Sequence, residues 1–412
     1  MKVTRAGALS CALGLYVTFS AVSVPAAEQP AVENRQVADA LTEAKELADG
    51  KKWDAALAAL RRAQQVPGKS AYAEYKIEEF TGYVLAQQRR YGDAASVFAR
   101  LAESDQAPRA DVERHLSTAA QLYLQTRQYS KAAELAKRAL RMRPGDLRLL
   151  ELSGEAQYLA REFKGAAKTL QLLVATTERK GDKPQERWLQ LMLDSYYKLD
   201  DREAVAATWD ALLRHYPKQK YWEAVLDDKI ASVDSQPLEF GYRRLMFDLG
   251  LLTEAADYEE LAMRAIDVGL PGEAVRVMKA ALDPATLSLA ESKRAHFRRV
   301  LRYAEDQVAK ERATLEALAE SAESAATGQP SVELGRAYLG YGRYDEAISA
   351  LRSGIEKGNL ENADRARVDL GIAYLNNDET EQATRTFAQV EAGSEWRDLA
   401  ELWSLRATTG ER

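Results

Sequence analysis

The stretch RQYSKAAELAKRALRMRP, residues 127–144, decides the fold. Tyr129 is followed three residues later by Ala132, then by Ala136 and Ala139, and Pro144 closes the run. Upstream, Ala120 lies twelve residues before Ala132, and Tyr123 lies nine before it. Small and apolar residues at spacings of three and four mark one face of a helix. Two such faces separated by a short polar break (Thr126-Arg127-Gln128) predict a helix hairpin with its seam on the alanines.

The same spacing recurs along the chain. Counted by the central small residue of the second helix, the series is Ala56, Ala94, Ala132, Ala166, Ala204, Ala274, Ala347 and Ala383. Most steps are 34–38 residues, and two are about double, which implies two weaker repeats between. Twelve positions upstream stand Ala44, Gly82, Ala120, Gly154, Met192, Ala262, Gly335 and Gly371. Aromatic residues open the second helix at Trp53, Tyr91, Tyr129, Phe163 and Tyr344. Four positions past each central alanine come Leu60, Phe98, Ala136, Leu170, Met278, Leu351 and Phe387, with Thr208 the exception. This resembles the tetratricopeptide repeat. Antiparallel helices approach closely where one side is small, so the glycines are expected to face the helix-B alanines. A hairpin with one apolar face cannot bury it alone and stacks on its neighbours. The predicted fold is therefore all-α: a right-handed tetratricopeptide solenoid of about ten helix-turn-helix repeats, closed by a C-terminal capping helix.

The repeats are not uniform. Residues 37–174 hold four clear ones. The charged stretch 175–187, with Gly181 and Pro184, predicts a protruding loop. Residues 188–285 are periodic but degenerate, with Met192 in a small-residue position and Pro271 where an aromatic belongs. No Gly or Pro occurs from Leu287 to Thr327, so 286–327 reads as one long helix or a degenerate pair. Two good repeats return at 330–390. Trp396, Leu399, Leu402 and Trp403 make 394–409 an amphipathic cap.

Composition narrows the function classes. The chain has 412 residues, 29% of them charged, and a net charge of −6. That charge argues against nucleic acid, because neutralising phosphates requires concentrated Lys and Arg. Three His leave little for a metal site, and the lone Cys, Cys11, excludes a disulfide framework. Residues 1–26 read as a secretory signal peptide. Lys2 and Arg5 form its positive end, an uncharged apolar stretch follows, and Val24-Pro25-Ala26 offers small residues for cleavage. The alternative is an uncleaved inner-membrane anchor. Either reading places the body of the chain in the periplasm or on the periplasmic face of the inner membrane.

A closer resemblance rests on three runs: WLQLMLDSYYKLDDREAVAATWDALLRHYPKQKYW (188–222), LGLLTEAADYEELAMRAIDVGLPGEAVRVMKAAL (249–282) and ADRARVDLGIAYLN (363–376). They are similar to the periplasmic tetratricopeptide proteins of Gram-negative bacteria associated with TonB systems. The resemblance implies an accessory or scaffold to TonB–ExbB–ExbD energy transduction, with a TonB- or ExbD-type component as the protein partner. It carries no functional residue across, because the matching positions are structural.

No catalytic constellation emerges, and no cofactor is implied. His115, His215 and His296 are far apart and are predicted to be surface or partly buried helix residues. Nucleophile-elbow, phosphate-loop and dinucleotide motifs are absent from the sequence. Binding is the expected activity. Register counting puts Tyr83, Arg114, Gln121, Gln125, Glu151, Glu155, Tyr158, Tyr196 and Tyr197 on the concave face, with Lys76, Glu79, Ser117, Leu189 and Leu193 beside them. Amides and tyrosines along a groove suit an extended peptide. Ser117, Glu151 and Leu189 replace the lysine that a two-carboxylate clamp needs. Arg294, Arg298, Arg299 and Arg302 form a basic stripe, read as a solvated face countered by Glu291, Glu305 and Asp306. The expected function is a non-enzymatic periplasmic scaffold. The alternatives are a cell-envelope assembly or peptidoglycan-associated adaptor, and a sugar-binding or catalytic pocket near Trp188, Trp209 and Trp222. Membrane association is expected only through partners or an uncleaved leader.

Overall fold

The structure, a computed structural model, describes residues 34–410. The leader lies outside the described residues. Twenty helices and no strands make up the described chain. Seven consecutive pairs come first: α1 (Arg35–Asp49) with α2 (Trp53–Gln65), α3 (Ala71–Gln87) with α4 (Tyr91–Leu101), α5 (Arg109–Gln125) with α6 (Tyr129–Met142), α7 (Leu147–Leu159) with α8 (Phe163–Arg179), α9 (Glu186–Leu199) with α10 (Arg202–His215), α11 (Gln219–Ser232) with α12 (Gln236–Asp248), and α13 (Ala255–Asp267) with α14 (Pro271–Leu282). One long helix, α15 (Glu291–Ser324), stands alone. Two more pairs follow, α16 (Gln329–Gly340) with α17 (Tyr344–Lys357) and α18 (Ala363–Asn376) with α19 (Thr380–Ala388), and then α20 (Arg397–Thr409). The described chain divides into two compact units, 34–208 and 209–410.

The repeat register explains the packing. Of the eight central alanines, all but Ala204 are fully buried, and every residue twelve positions upstream of them is buried. The glycines, however, do not face those alanines. A Cβ built at Gly82 would lie 3.1 Å from the Phe98 ring, at Gly154 2.9 Å from Leu170, at Gly335 2.6 Å from Leu351, and at Gly371 2.3 Å from Phe387. Each glycine thus vacates the volume that a large side chain four residues past the alanine occupies. In the hairpin where that residue is the small Ala136, its register partner is Ala120 rather than glycine. Interiors are close-packed, so one side of the seam must shrink where the other grows.

The turns between paired helices are equally regular. Lys51, Arg89, Arg127 and Arg161 have φ of +56°, +61°, +58° and +64°, each two residues before the aromatic that opens the next helix. The later turns place Asp200, Gly269, Gly342 and Asp378 in the same left-handed conformation. A side chain there costs about 1 kcal/mol or more relative to glycine.

One region differs from the sequence reading, and two others sharpen it. The stretch 175–187 is not wholly a loop. Helix α8 runs to Arg179, with buried Thr177 donating to the Leu173 carbonyl at 2.8 Å, and only residues 180–185 connect it to α9. Residues 291–324 form a single helix whose Phe297, Val300 and Ala304 join the core of α12, α13 and α14. Helix α20 does more than cap the last repeat. Leu399, Leu402 and Trp403 are buried, and the helix packs against α18, α19 and also α12.

Candidate functional site: the inner face of the first unit

Within residues 34–208, the first helices of successive pairs touch one another, α1 on α3, α5 on α7 and α7 on α9, while their second helices are spread apart. The odd-numbered helices therefore line the inner face. Its residues fall into two groups.

At the α7–α9 end, the polar side chains are spent on each other. Trp188 Nε1 donates to Glu151 at 2.9 Å, Arg187 pairs with Glu155, and the Tyr158 hydroxyl donates to Asp194 at 2.9 Å. Glu155 is buried, as are Leu189 and Leu193, so these three do not present a surface to a ligand. Burial and the Asp194 hydrogen bond push the Tyr158 hydroxyl up to about 12, so it stays a donor at any physiological pH. Tyr196 is half-buried, and Tyr197 is 54% exposed at the end of α9.

The α1–α5 end is open. Tyr83 stands edge-on to Trp53 at 6.5 Å and beside Phe80 at 6.0 Å. With Phe80, Leu41 and Ala48 it floors a pocket of about 350 Å³ between α1 and α3, rimmed by Lys45, Asp49, Lys76 and Glu79. Next to it, Glu79 accepts from Lys76 at 2.9 Å and from Arg114 at 2.7 Å, and Arg114 also meets Asp111 at 3.0 Å. On α5, Gln121 and Gln125 are exposed and make no hydrogen bond to any described residue. Each offers a donor and an acceptor to a passing backbone. An apolar socket can hold one side chain of an extended segment, and exposed amides can bond its main chain.

Below this surface lies His115, which is buried rather than at the surface or partly buried as the sequence suggested. Its ring stacks on Phe98 at 5.7 Å, and its Nε2 hydrogen-bonds the Tyr75 hydroxyl at 2.7 Å. Burial pushes its pKa down to about 4, against the pull of Glu79. It is a neutral packing residue linking α3 to α5.

The second unit treats its inner face differently. Helix α12 has Leu238, Phe240, Gly241, Tyr242, Arg244 and Leu245 buried, so residues on all its sides are covered. Arg244 donates to Glu273 of α14 at 2.7 Å and to Asp369 of α18 at 3.0 Å. A Cβ at Gly241 would lie 2.4 Å from Leu399 of α20, and Arg406 of α20 donates to Asp248 at 2.7 Å. Helix α12 thus bonds to α14, α18 and α20 at once. Trp222 is buried in this unit, and Trp209 stands edge-on to Tyr221 at 5.8 Å. Of the basic stripe on α15, Arg298 lies 3.4 Å from Glu291 and Arg294 donates to the Leu282 carbonyl.

The pocket residues on α1 escaped the sequence reading because the inner-face count began at the second repeat. The same rule applied around Ala44 marks Leu41, Lys45 and Ala48.

Comparison with known proteins agrees with the hairpin packing. The tetratricopeptide repeat family model matches residues 41–110, 117–182 and 332–394. No curated protein sequence matches the chain. Similar solved structures include MamA from Desulfovibrio magneticus RS-1, at 16% identity over 42% of this chain and 92% of that one, with a TM-score of 0.32. A structure of Pseudomonas aeruginosa pilF aligns at 16% identity over 47% and 97%, with a TM-score of 0.28. The P58(IPK) tetratricopeptide domain aligns at 15% identity over 90% and 88%, with a TM-score of 0.26. With the repeat model matched in both units and the helices in consecutive packed pairs, the chain carries tetratricopeptide repeats at 41–182 and 332–394.

Proposed function

We propose that the protein is a non-enzymatic periplasmic scaffold that holds an extended segment of a partner on the α1–α5 inner face, accessory to TonB-dependent energy transduction. Tetratricopeptide arrays are protein–protein interaction modules, with extended concave surfaces built for this task. The observation that carries the reading is the open socket between α1 and α3, together with the exposed amides of Gln121 and Gln125 on α5, set against a helix α12 that is buried in the second unit. The periplasmic location is supported by the leader-like residues 1–26 and by the lack of any Cys after Cys11. No described helix is long and apolar enough to cross a membrane. The partner, a TonB- or ExbD-type component, is supported by the sequence resemblance of residues 188–282 and 363–376.

Crosslinking in cells followed by co-purification tests both parts. A TonB-system component is expected above background, and its recovery is expected to fall when Gln121→Arg and Gln125→Arg are combined. Recovery of envelope-assembly or peptidoglycan-linked proteins alone would replace the partner assignment. Recovery unaffected by the two substitutions would remove the binding site.

A further inference from the structure

A second surface is independent of the inner face. Lys51, Arg89, Arg127 and Arg161 occupy the same position in four consecutive turns, and all four are exposed. Their side chains make no ion pair or hydrogen bond with any described residue. The turns lie side by side. Gln88 of the second turn donates to Asp54 beside the first at 2.8 Å, and a Cβ at Gly92 would lie 3.8 Å from Gln128 of the third. The four cations therefore form a row along one edge of the first unit. Lys51, Lys52 and Arg90 already converge on an open notch at its start, floored by Trp53.

Three acids of this edge are engaged within the protein: Asp93 with Arg90 at 2.6 Å, Glu162 with Lys137 at 2.8 Å, and Asp54 with Gln88. Asp49 is exposed, so the four turn cations outnumber the unmatched acid in a chain of net charge −6. Each cation also sits in a backbone conformation that glycine would adopt at less cost, and glycine does occupy it at Gly269 and Gly342. The row ends at the fifth turn, where Asp200 reverses the charge.

We infer that this edge is a docking surface for an acidic, extended protein segment. Packed helices lie about 8–10 Å apart, and a chain extended as a polyproline II helix advances about 3.1 Å per residue with three residues per turn. Carboxylates at every third residue then share one face, about 9 Å apart, and would meet successive turns. A continuous anionic membrane fits less well. The edge carries Asp49, Asp54, Asp93 and Glu162 between its cations, and its turns expose no large apolar side chain to insert.

The test uses the purified protein and a fluorescent twelve-residue peptide with Glu at every third position and Ser between. A Lys-for-Glu peptide and phosphatidylglycerol vesicles serve as comparisons. The Glu peptide is expected to bind and to weaken as salt rises. Combining Lys51→Gly, Arg89→Gly, Arg127→Gly and Arg161→Gly removes the charge while relaxing the backbone. This variant should lose at least about tenfold in affinity, yet melt at a higher temperature than the parent. A loss of binding therefore cannot be assigned to unfolding. Unchanged affinity in this variant, or binding to vesicles without binding to the Glu peptide, overturns the proposal.

Discussion

The two units are built from one repeat and use their inner faces in opposite ways. In the first, Phe80 and Tyr83 stand around open space between α1 and α3, and Gln121 and Gln125 are exposed on α5. In the second, α12 is buried among its neighbours and Arg244 locks it to α14 and α18. The repeat specifies how helices pair, whereas the residues on the inner face specify whether the array receives a ligand or completes its own core. The turns carry the same contrast. Exposed Lys and Arg take the left-handed position in the first four, and glycine or aspartate takes it later.

The strongest way to break this contrast is to remove the lock. Arg244→Met leaves Glu273 and Asp369 buried with a cation missing, which should destabilise the second unit by about 3–5 kcal/mol. Arg114→Ala in the first unit removes a side chain that is 46% exposed and should cost no more than about 1 kcal/mol. Urea unfolding followed by tryptophan emission would compare them. Equal losses would mean that α12 is not held by this charge cluster.

Acid should separate the units next. His115 is neutral in the fold, with its pKa lowered to about 4 from 6.5. As pH falls below 6.5 the unfolded chain takes up a proton that the folded chain refuses, so stability is lost between pH 6.5 and 4 and stays level below. The loss is at most about 3 kcal/mol. His115→Gln should flatten that part of the stability–pH curve for the first unit, and an unchanged slope would contradict the burial argument.

Packing supplies a smaller effect. Gly371→Ala drives a methyl into the Phe387 ring and should cost about 1–3 kcal/mol, more than Gly82→Ala, where the nearest contact is 3.1 Å. Thermal melts of the two variants would rank them. At the turns, Arg127→Gly should stabilise the first unit by about 0.5–1 kcal/mol, whereas Gly269→Arg should destabilise the second by a similar amount.

Much of the fold was legible because its determinants are local and periodic. Ala132, Ala120 and Tyr129 mark both helices and their turn within one window, and the same window recurs. The glycine partners were misassigned because sequence spacing gives a face but not which residue on the opposite helix fills it. Phe98 and Phe387 reach the glycines through ring size, which no register conveys. The site was less legible. Counting the register placed Gln121 and Gln125 on an exposed face, but it could not foresee that Arg187 and Trp188 would consume Glu155 and Glu151. Those bonds join helices more than thirty residues apart. The lock on α12 is more remote still, since Arg244 and Asp369 meet across 125 positions.

Accessibility of equivalent positions tests the contrast most directly. Gln121 and Ile372 each follow the central small residue of their helix, the first exposed and the second 2% exposed. Cys11 is the only cysteine in the sequence, so Gln121→Cys and Ile372→Cys in a Cys11→Ser background give single reporters. Maleimide should label the first about a hundredfold faster than the second, which must wait for local opening. Equal labelling rates would show that the inner face of the second unit is as open as that of the first, and the account would be wrong.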